Sequence, residues 1–237
     1  MSQLVVALDV PSQREALALV DLLDEHVDFF KVGLELYTRE GPGVVRALNG
    51  RGKRVFLDLK LFDIPATVAK TVTAAKALQV DLLTIHATGG RRMMEAAVQS
   101  AGDDLSLLAV TVLTSSGESE VAEVWGRPVN AVQPEVERLA RLAREAGVPG
   151  VVASAREAAS LRASLGPDAL IVTPGIRLPT DDVGDQVRVA TPEAAVVDGA
   201  THLVVGRPIR EAEDPAEAAR VFTDAIRSAA AAGEESA

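Results

Sequence analysis

Short apolar runs rich in β-branched residues recur along the chain, at residues 4–8, 29–36, 54–60, 82–87, 107–113, 150–154, 170–173 and 202–205. Each is nearly continuous in hydrophobicity rather than alternating, the pattern of parallel strands buried on both faces. Amphipathic segments with recognisable helix starts lie between them. Ser12-Gln-Arg-Glu15 and Ser154-Ala-Arg-Glu157 have the spacing at which a hydroxyl and a carboxylate each satisfy a backbone N–H of the first turn. Thr191-Pro192 and Asp214-Pro215 set a capping side chain before a proline suited to that turn. Across residues 135–146, Val136, Leu139, Ala140 and Ala143 share one face, and Gly147 closes the helix. A final helix is predicted from about 214 to 231, with residues 232–237 as a frayed tail.

Strict alternation of strand and helix requires crossover connections and so a parallel sheet. Eight such units in this length predict a closed (β/α)8 barrel of the TIM type. The competing architecture is an open doubly wound sheet. No Gly-x-Gly-x-x-Gly follows a strand, which weakens a dinucleotide-binding version of it. With no linker or second composition regime, residues 1–237 read as one domain.

Composition narrows the function classes. Among 237 residues, 48% are hydrophobic and 24% charged, which describes a globular chain with a sizeable core. There is no cysteine, so neither a disulfide framework nor a thiolate metal site is available. No basic leader followed by a long apolar segment opens the chain, and no apolar run reaches the length of a membrane span. A soluble, cytoplasmic protein is expected. The formal net charge of −10 argues against broad binding to nucleic acid. A small anionic ligand needs only a few cations focused in one cleft.

In a barrel of this kind the chemistry belongs to the C-terminal ends of the strands. The unusual polar residues fall there: Asp9 after the first strand, Lys31 in the second, Asp58 and Lys60 on the third, His86 on the fourth. Thr114 follows the fifth, Arg177 the seventh and Arg207 the eighth, and the long connections 114–133 and 177–190 can act as lids. Asp58 and Lys60 are two apart and so share a face, with Leu57, Leu59 and Leu61 on the other. The pair is either a structural ion pair or a reactive one. Lys31, a second cation in an apolar strand, leaves the structural reading less complete. Asp63 can favour the helix that follows it. At Val204-Val-Gly-Arg-Pro208 a glycine permits close approach of a ligand and an arginine can grip phosphate, although the same tripeptide also makes surface turns. Arg177 and Gln186 join that neighbourhood. His26 and His202 read as structural, His86 as scaffolding or a site residue, and no histidine cluster suggests zinc.

A longer pattern is then visible. Leu8-Asp9, Phe30-Lys-Val-Gly33, Asp58-Leu-Lys-Leu-Phe-Asp-Ile-Pro65, Thr111-Val-Leu-Thr-Ser115, Thr173-Pro-Gly-Ile-Arg177, Asp185-Gln186, Arg188-Val-Ala-Thr-Pro192 and Val205-Gly-Arg-Pro208 occur in order over nearly the whole chain. Together they resemble the orotidine 5'-phosphate decarboxylases, enzymes of pyrimidine biosynthesis that convert orotidine 5'-phosphate to UMP and CO2. The resemblance implies a cofactor-free reaction in a homodimeric barrel. It places Asp58, Lys60 and Lys31 around the reacting carboxylate, with Asp63 and Thr67 supplied by the neighbouring subunit. It implies Asp9 and Lys31 at the ribose, Thr114 and Ser115 at the pyrimidine edge, and Pro174 at the substrate. Arg177, Gln186, Gly206 and Arg207 are implied as the phosphate grip. The nearest rival is a Mg²⁺-dependent decarboxylase or aldolase of the same superfamily acting on a keto-sugar phosphate. Such enzymes share the Asp-x-Lys-x-x-Asp strand but typically carry glutamate where this chain has Lys31. Further rivals are a phosphate-ligand sensor and a purely structural dimerisation module; neither has a use for opposed charges at the strand ends.

Overall fold

A computed structural model describes residues 2–179 and 190–235. Eight parallel strands close into a barrel in the order of the sequence, each pairing with the next and β8 with β1. The strands are β1 (Gln3–Ala7), β2 (Phe29–Gly33), β3 (Arg54–Leu61), β4 (Leu82–His86), β5 (Ser106–Val110), β6 (Gly150–Val152), β7 (Leu170–Pro174) and β8 (His202–Val205). The helices around them are α1 (Gln13–Leu22), α2 (Leu34–Glu40), α3 (Pro42–Asn49), α4 (Pro65–Lys76), α5 (Arg91–Ala101), α6 (Glu118–Trp125), α7 (Gln133–Glu145), α8 (Ala158–Leu165), α9 (Pro192–Val197), α10 (Arg207–Arg210) and α11 (Pro215–Glu235).

The near-continuous hydrophobicity of the strands follows from burial on two sides. Inward-facing Val5, Ala7, Phe29, Phe56, Leu82, Leu108, Val172 and Val204 fill the barrel interior. Outward-facing residues such as Val6, Phe30, Leu57, Leu83 and Leu203 pack against the helices. The predicted face of α7 is buried at Val136, Leu139, Ala140 and Ala143. Ser154 makes the full reciprocal cap, and Thr191 and Asp214 cap α9 and α11 through backbone N–H groups.

Several boundaries differ from the sequence reading: β5 stops at Val110 and β6 at Val152, short of the predicted 113 and 154, and two further differences have a local physical cause. The run 29–36 is not one strand: β2 stops at Gly33 and Leu34 starts a helix. At Gly33 the strand has reached the barrel rim, and an added Cβ would lie 3.1 Å from both Asp9 Oδ1 and Lys31 Nζ. Glycine there lets the backbone pass close to that ion pair. The last helix continues through Glu235 rather than ending near 231. The alanine-rich stretch before Gly233 has high helix propensity, which a single glycine, at about 1 kcal/mol, does not cancel.

Candidate active site

The third strand carries the central charges, by a geometry less regular than simple alternation. Phe56 pairs with Leu82 and Leu57 with Leu83, but Leu61 pairs with Ile85. Four residues therefore advance on β3 for two on β4, a bulge that falls across Asp58, Leu59 and Lys60. Lys60 has φ 51°, in the left-handed region. For a residue with a side chain that conformation costs roughly 1–2 kcal/mol, so neighbouring contacts must hold it. The bulge turns Lys60 Nζ back onto Asp58, at 2.9 and 2.8 Å from its two carboxylate oxygens.

Asp58 is largely buried and collects further partners. Thr84 Oγ1, on β4, donates to its Oδ1 at 3.0 Å, and Lys31 Nζ stands 3.9 Å from its Oδ2. Lys31 in turn donates to Asp9 Oδ1 at 2.8 Å. The result is a chain of alternating sign, Asp9, Lys31, Asp58, Lys60, across three adjacent strands. It borders a cavity of about 320 Å³ whose floor is apolar, made by Ala7, Phe56, Val110, Val152, Val172 and Val204. Low-dielectric walls of this kind strengthen whatever charge interaction occurs against them.

Arg177, Gly206, Arg207 and Arg210 line the same cavity, giving it a cationic border on the β7–β8 side. Arg177 is buried, with its Nη1 on the Ile176 carbonyl at 2.9 Å. The backbone of Gly206 is the entry to α10, and its position lets the short helix begin at the cavity rim. His86 shares this end of the barrel, edge-to-face with Phe62. Burial, then the charge of Lys60, lowers its pKa against a smaller opposing effect of Asp58, so the ring is neutral at pH 7. It does not line the cavity.

Most of the residues singled out in the sequence converge: Asp9, Lys31, Asp58, Lys60, Thr114, Pro174, Arg177, Gly206 and Arg207 all border the cavity. Ser115 is exposed and does not. Asp63 and Thr67 lie outside it too: Asp63 accepts the Ile64 N–H at 2.6 Å, and exposed Thr67 sits in the first turn of α4. Gln186, like Asp185 and Arg188, lies outside the described residues. Two residues were missed. Thr84 occupies the inward phase of β4 two positions before His86, so strand periodicity marks it. Arg210 is one helical turn beyond Arg207, and its Nε is buried without a hydrogen-bond partner among the described residues, while Nη2 reaches Glu211 at 2.7 Å.

Known proteins match along almost the whole chain. The family described as Orotidine 5'-phosphate decarboxylase / HUMPS matches residues 2–222. An orotidine 5'-phosphate decarboxylase of Chromohalobacter salexigens is 50% identical over 217 residues, covering 90% of each chain. One from Halorhodospira halophila is 49% identical over 232 residues, covering 96% of this chain and 97% of its own. Among solved structures, the orotidine 5'-phosphate decarboxylase of Lactobacillus acidophilus superposes with TM-score 0.85 at 35% identity, over 95% of this chain and 99% of that one. That of Pyrococcus horikoshii gives TM-score 0.76 at 25% identity. The barrel, the charged strand ends and this breadth of similarity agree, and the chain belongs to the orotidine 5'-phosphate decarboxylase / HUMPS family.

Proposed function

We propose that this protein is a carboxy-lyase that converts orotidine 5'-phosphate to UMP and CO2, working as one catalytic barrel per subunit of a cytoplasmic homodimer. The observation that carries the reading is Asp58 held between Lys60 at 2.8 Å and Lys31 at 3.9 Å, on the wall of a cavity whose opposite border is Arg177 and Arg207. A substrate with an acidic ring at one end and a phosphate at the other matches that division of charge.

Breaking the bond from ring carbon 6 to the carboxyl carbon leaves the electron pair on carbon 6, and CO2 departs. The ring offers that pair little delocalisation, so stabilisation of roughly 20 kcal/mol is required. General acid catalysis supplies roughly 10²–10⁴-fold, and preorganised charge must supply more. In this mechanism the Lys60 ammonium stabilises the developing carbanion and then transfers a proton to carbon 6. Asp58 lies beside the scissile carboxylate and orients Lys60. Lys31 ties that array to Asp9, and the two meet the ribose hydroxyls. Thr114 reads the pyrimidine edge beside Pro174, while Ser115, next to it in the chain, stands outside the cavity in this structure; Arg177, Gln186, Gly206 and Arg207 hold the phosphate.

The partner subunit's contribution rests on a different feature. Phe62 and Ile64 are 64% and 67% exposed, large apolar side chains flanking Asp63 beside the mouth. Such a face favours coverage by a second copy, which would carry Asp63 and Thr67 toward a neighbouring site. The deciding experiment follows loss of pyrimidine absorbance as orotidine 5'-phosphate is converted to UMP, with and without EDTA. Turnover unaffected by chelator is expected. Folded protein that shows none, or that loses its activity to EDTA, overturns the reading and points to keto-sugar phosphates with Mg²⁺.

A further inference from the structure

Lys60 holds a backbone conformation that its own residue type disfavours, and the strand pairing of β3 slips at that point. Something outside β3 must fix it. The one side chain from another strand that hydrogen-bonds both the backbone of Lys60 and the carboxylate of Asp58, among the described residues, is Thr84. Its Oγ1 accepts from Lys60 N–H at 2.8 Å and donates to Asp58 Oδ1 at 3.0 Å. Thr84 is fully buried in the centre of β4, between Leu83 and Ile85, which are themselves fully buried. A β-branched residue in a strand has restricted χ1, so this hydroxyl has little freedom to leave.

We propose that Thr84 is a positioning residue for the decarboxylation. It replaces the β3–β4 backbone ladder where the bulge interrupts it, locks Lys60 in the left-handed region, and holds the Asp58 carboxylate at a set rotation. Donor and acceptor functions are both needed. A hydroxyl provides them from one atom, whereas a methyl in the same place leaves a buried N–H without an acceptor and a buried carboxylate with one donor fewer. The inference rests on the decarboxylase reading for its kinetic consequence, but not for its structural one.

The test compares Thr84→Val and Thr84→Ser with the unaltered protein on orotidine 5'-phosphate. Misplacement of a catalytic group by about 1 Å costs on the order of 10²-fold. Thr84→Val is therefore expected to lose about 10²-fold in kcat, with KM within about threefold because the phosphate grip is untouched. Thr84→Ser, which restores the hydroxyl, is expected within about fivefold of the unaltered kcat. Should Thr84→Val fail to fold, Thr84→Cys keeps the volume with a weak donor and poor acceptor and carries the same expectation. A Val variant of nearly full kcat, or a Ser variant as impaired as Val, overturns the proposal. A crystal structure of the same variants separates this claim from the assigned reaction. Lys60 is expected to leave positive φ in the Val or Cys variant and to keep it in Ser, whether or not the unaltered protein turns over. Retention of positive φ without the hydroxyl overturns the positioning role.

Discussion

Each end of the barrel holds lysine among aspartates, buried at one end and half-buried at the other, and the two clusters are finished differently. At the N-terminal end Lys53, 5% exposed at its side chain, donates to the carbonyls of Asp24 and Val27 at 3.2 and 3.1 Å. It also pairs with the carboxylates of Asp24 and Asp28 at 2.8 and 3.2 Å. Burial alone would lower its pKa, but those two carboxylates outweigh burial and hold it raised. Beside it Arg54 is shared among Asp81, Gln3 and the ring of Phe29, 4.1 Å beneath it. At the C-terminal end Lys31, Asp58 and Lys60 border an open cavity, and Arg210 leaves a buried N–H unmatched. The same residue types therefore stand in two settings: one cluster is completed by the folded chain, and the other borders open space, which the proposed function gives to a ligand.

On that contrast, removing a charge from the mouth costs rate, and removing one from the N-terminal end, the floor of the barrel, costs stability. Lys60→Ala is the strongest case. Under the proposed mechanism Lys60 is both proton donor and facing positive charge, and its loss is expected to lower kcat by at least about 10⁴-fold. The variant is expected to keep the cooperative unfolding of the parent, read by circular dichroism. Activity within about tenfold of the parent would remove Lys60 from the chemistry and erase the distinction between the two ends.

The floor has its own sharp signature in His202. It is buried against Phe29, and burial first, then the charge of Arg54, lowers its pKa to about 4, with Asp81 opposing. The folded pKa lies below the unfolded value near 6.5, so the neutral ring's contribution is fully present above pH 6.5. It declines as pH falls toward 4, where the unfolded chain takes up the proton first. The full difference is worth about 3 kcal/mol. Urea unfolding at pH 7.5 and pH 4.5 is expected to show a steeper loss for the parent than for His202→Gln. Parallel losses would mean that His202 does not set the acid sensitivity.

What the sequence made legible follows from the same contrast. The barrel was readable because strands buried on two sides must be apolar throughout, and eight such runs alternating with capped helices admit few topologies. The charges at the mouth stood out against those runs, so Asp9, Lys31, Asp58, Lys60, Arg177 and Arg207, which the structure brings to one cavity, could be singled out. Their conformations were not readable. Alternation placed Asp58 and Lys60 on one face, yet they meet through a two-residue slip that no side-chain period announces. Thr84 was overlooked because a threonine suits a strand as well as it suits a site. The end of β2 was missed because Leu34 and Leu36 continue its apolar run; the crowding of Gly33 by Asp9 and Lys31, which accounts for the glycine there, is visible only in three dimensions.

The β7–β8 border is sharpened by Arg207→Ala. Losing one charge-assisted grip is worth about 2 kcal/mol, or roughly 30-fold in KM. An alanine variant with the parent's KM would leave the cationic border without a role for that side chain. Arg210→Ala extends the comparison: its unmatched Nε gives the folded chain little to lose, so a smaller rise in KM, about threefold to tenfold, is expected with no loss of melting temperature.

The last test addresses the floor cluster itself. Lys53→Met keeps the aliphatic stem but withdraws the donor from two carbonyls and two carboxylates. The carboxylates of Asp24 and Asp28 are 67% and 85% exposed, so water replaces the lysine there and little is lost. The carbonyls of Asp24 and Val27 lose a partner inside the structure, and their cost is about 1–2 kcal/mol. In a chain of this size that lowers Tm by about 3–6 °C. Both kcat and KM are expected to stay at the parent's values, since Lys53 stands at the far end of β3 from Lys60. A fall in kcat with Tm unchanged would reverse the assignment, because the floor would then hold the reacting end in register rather than merely close the barrel beneath it.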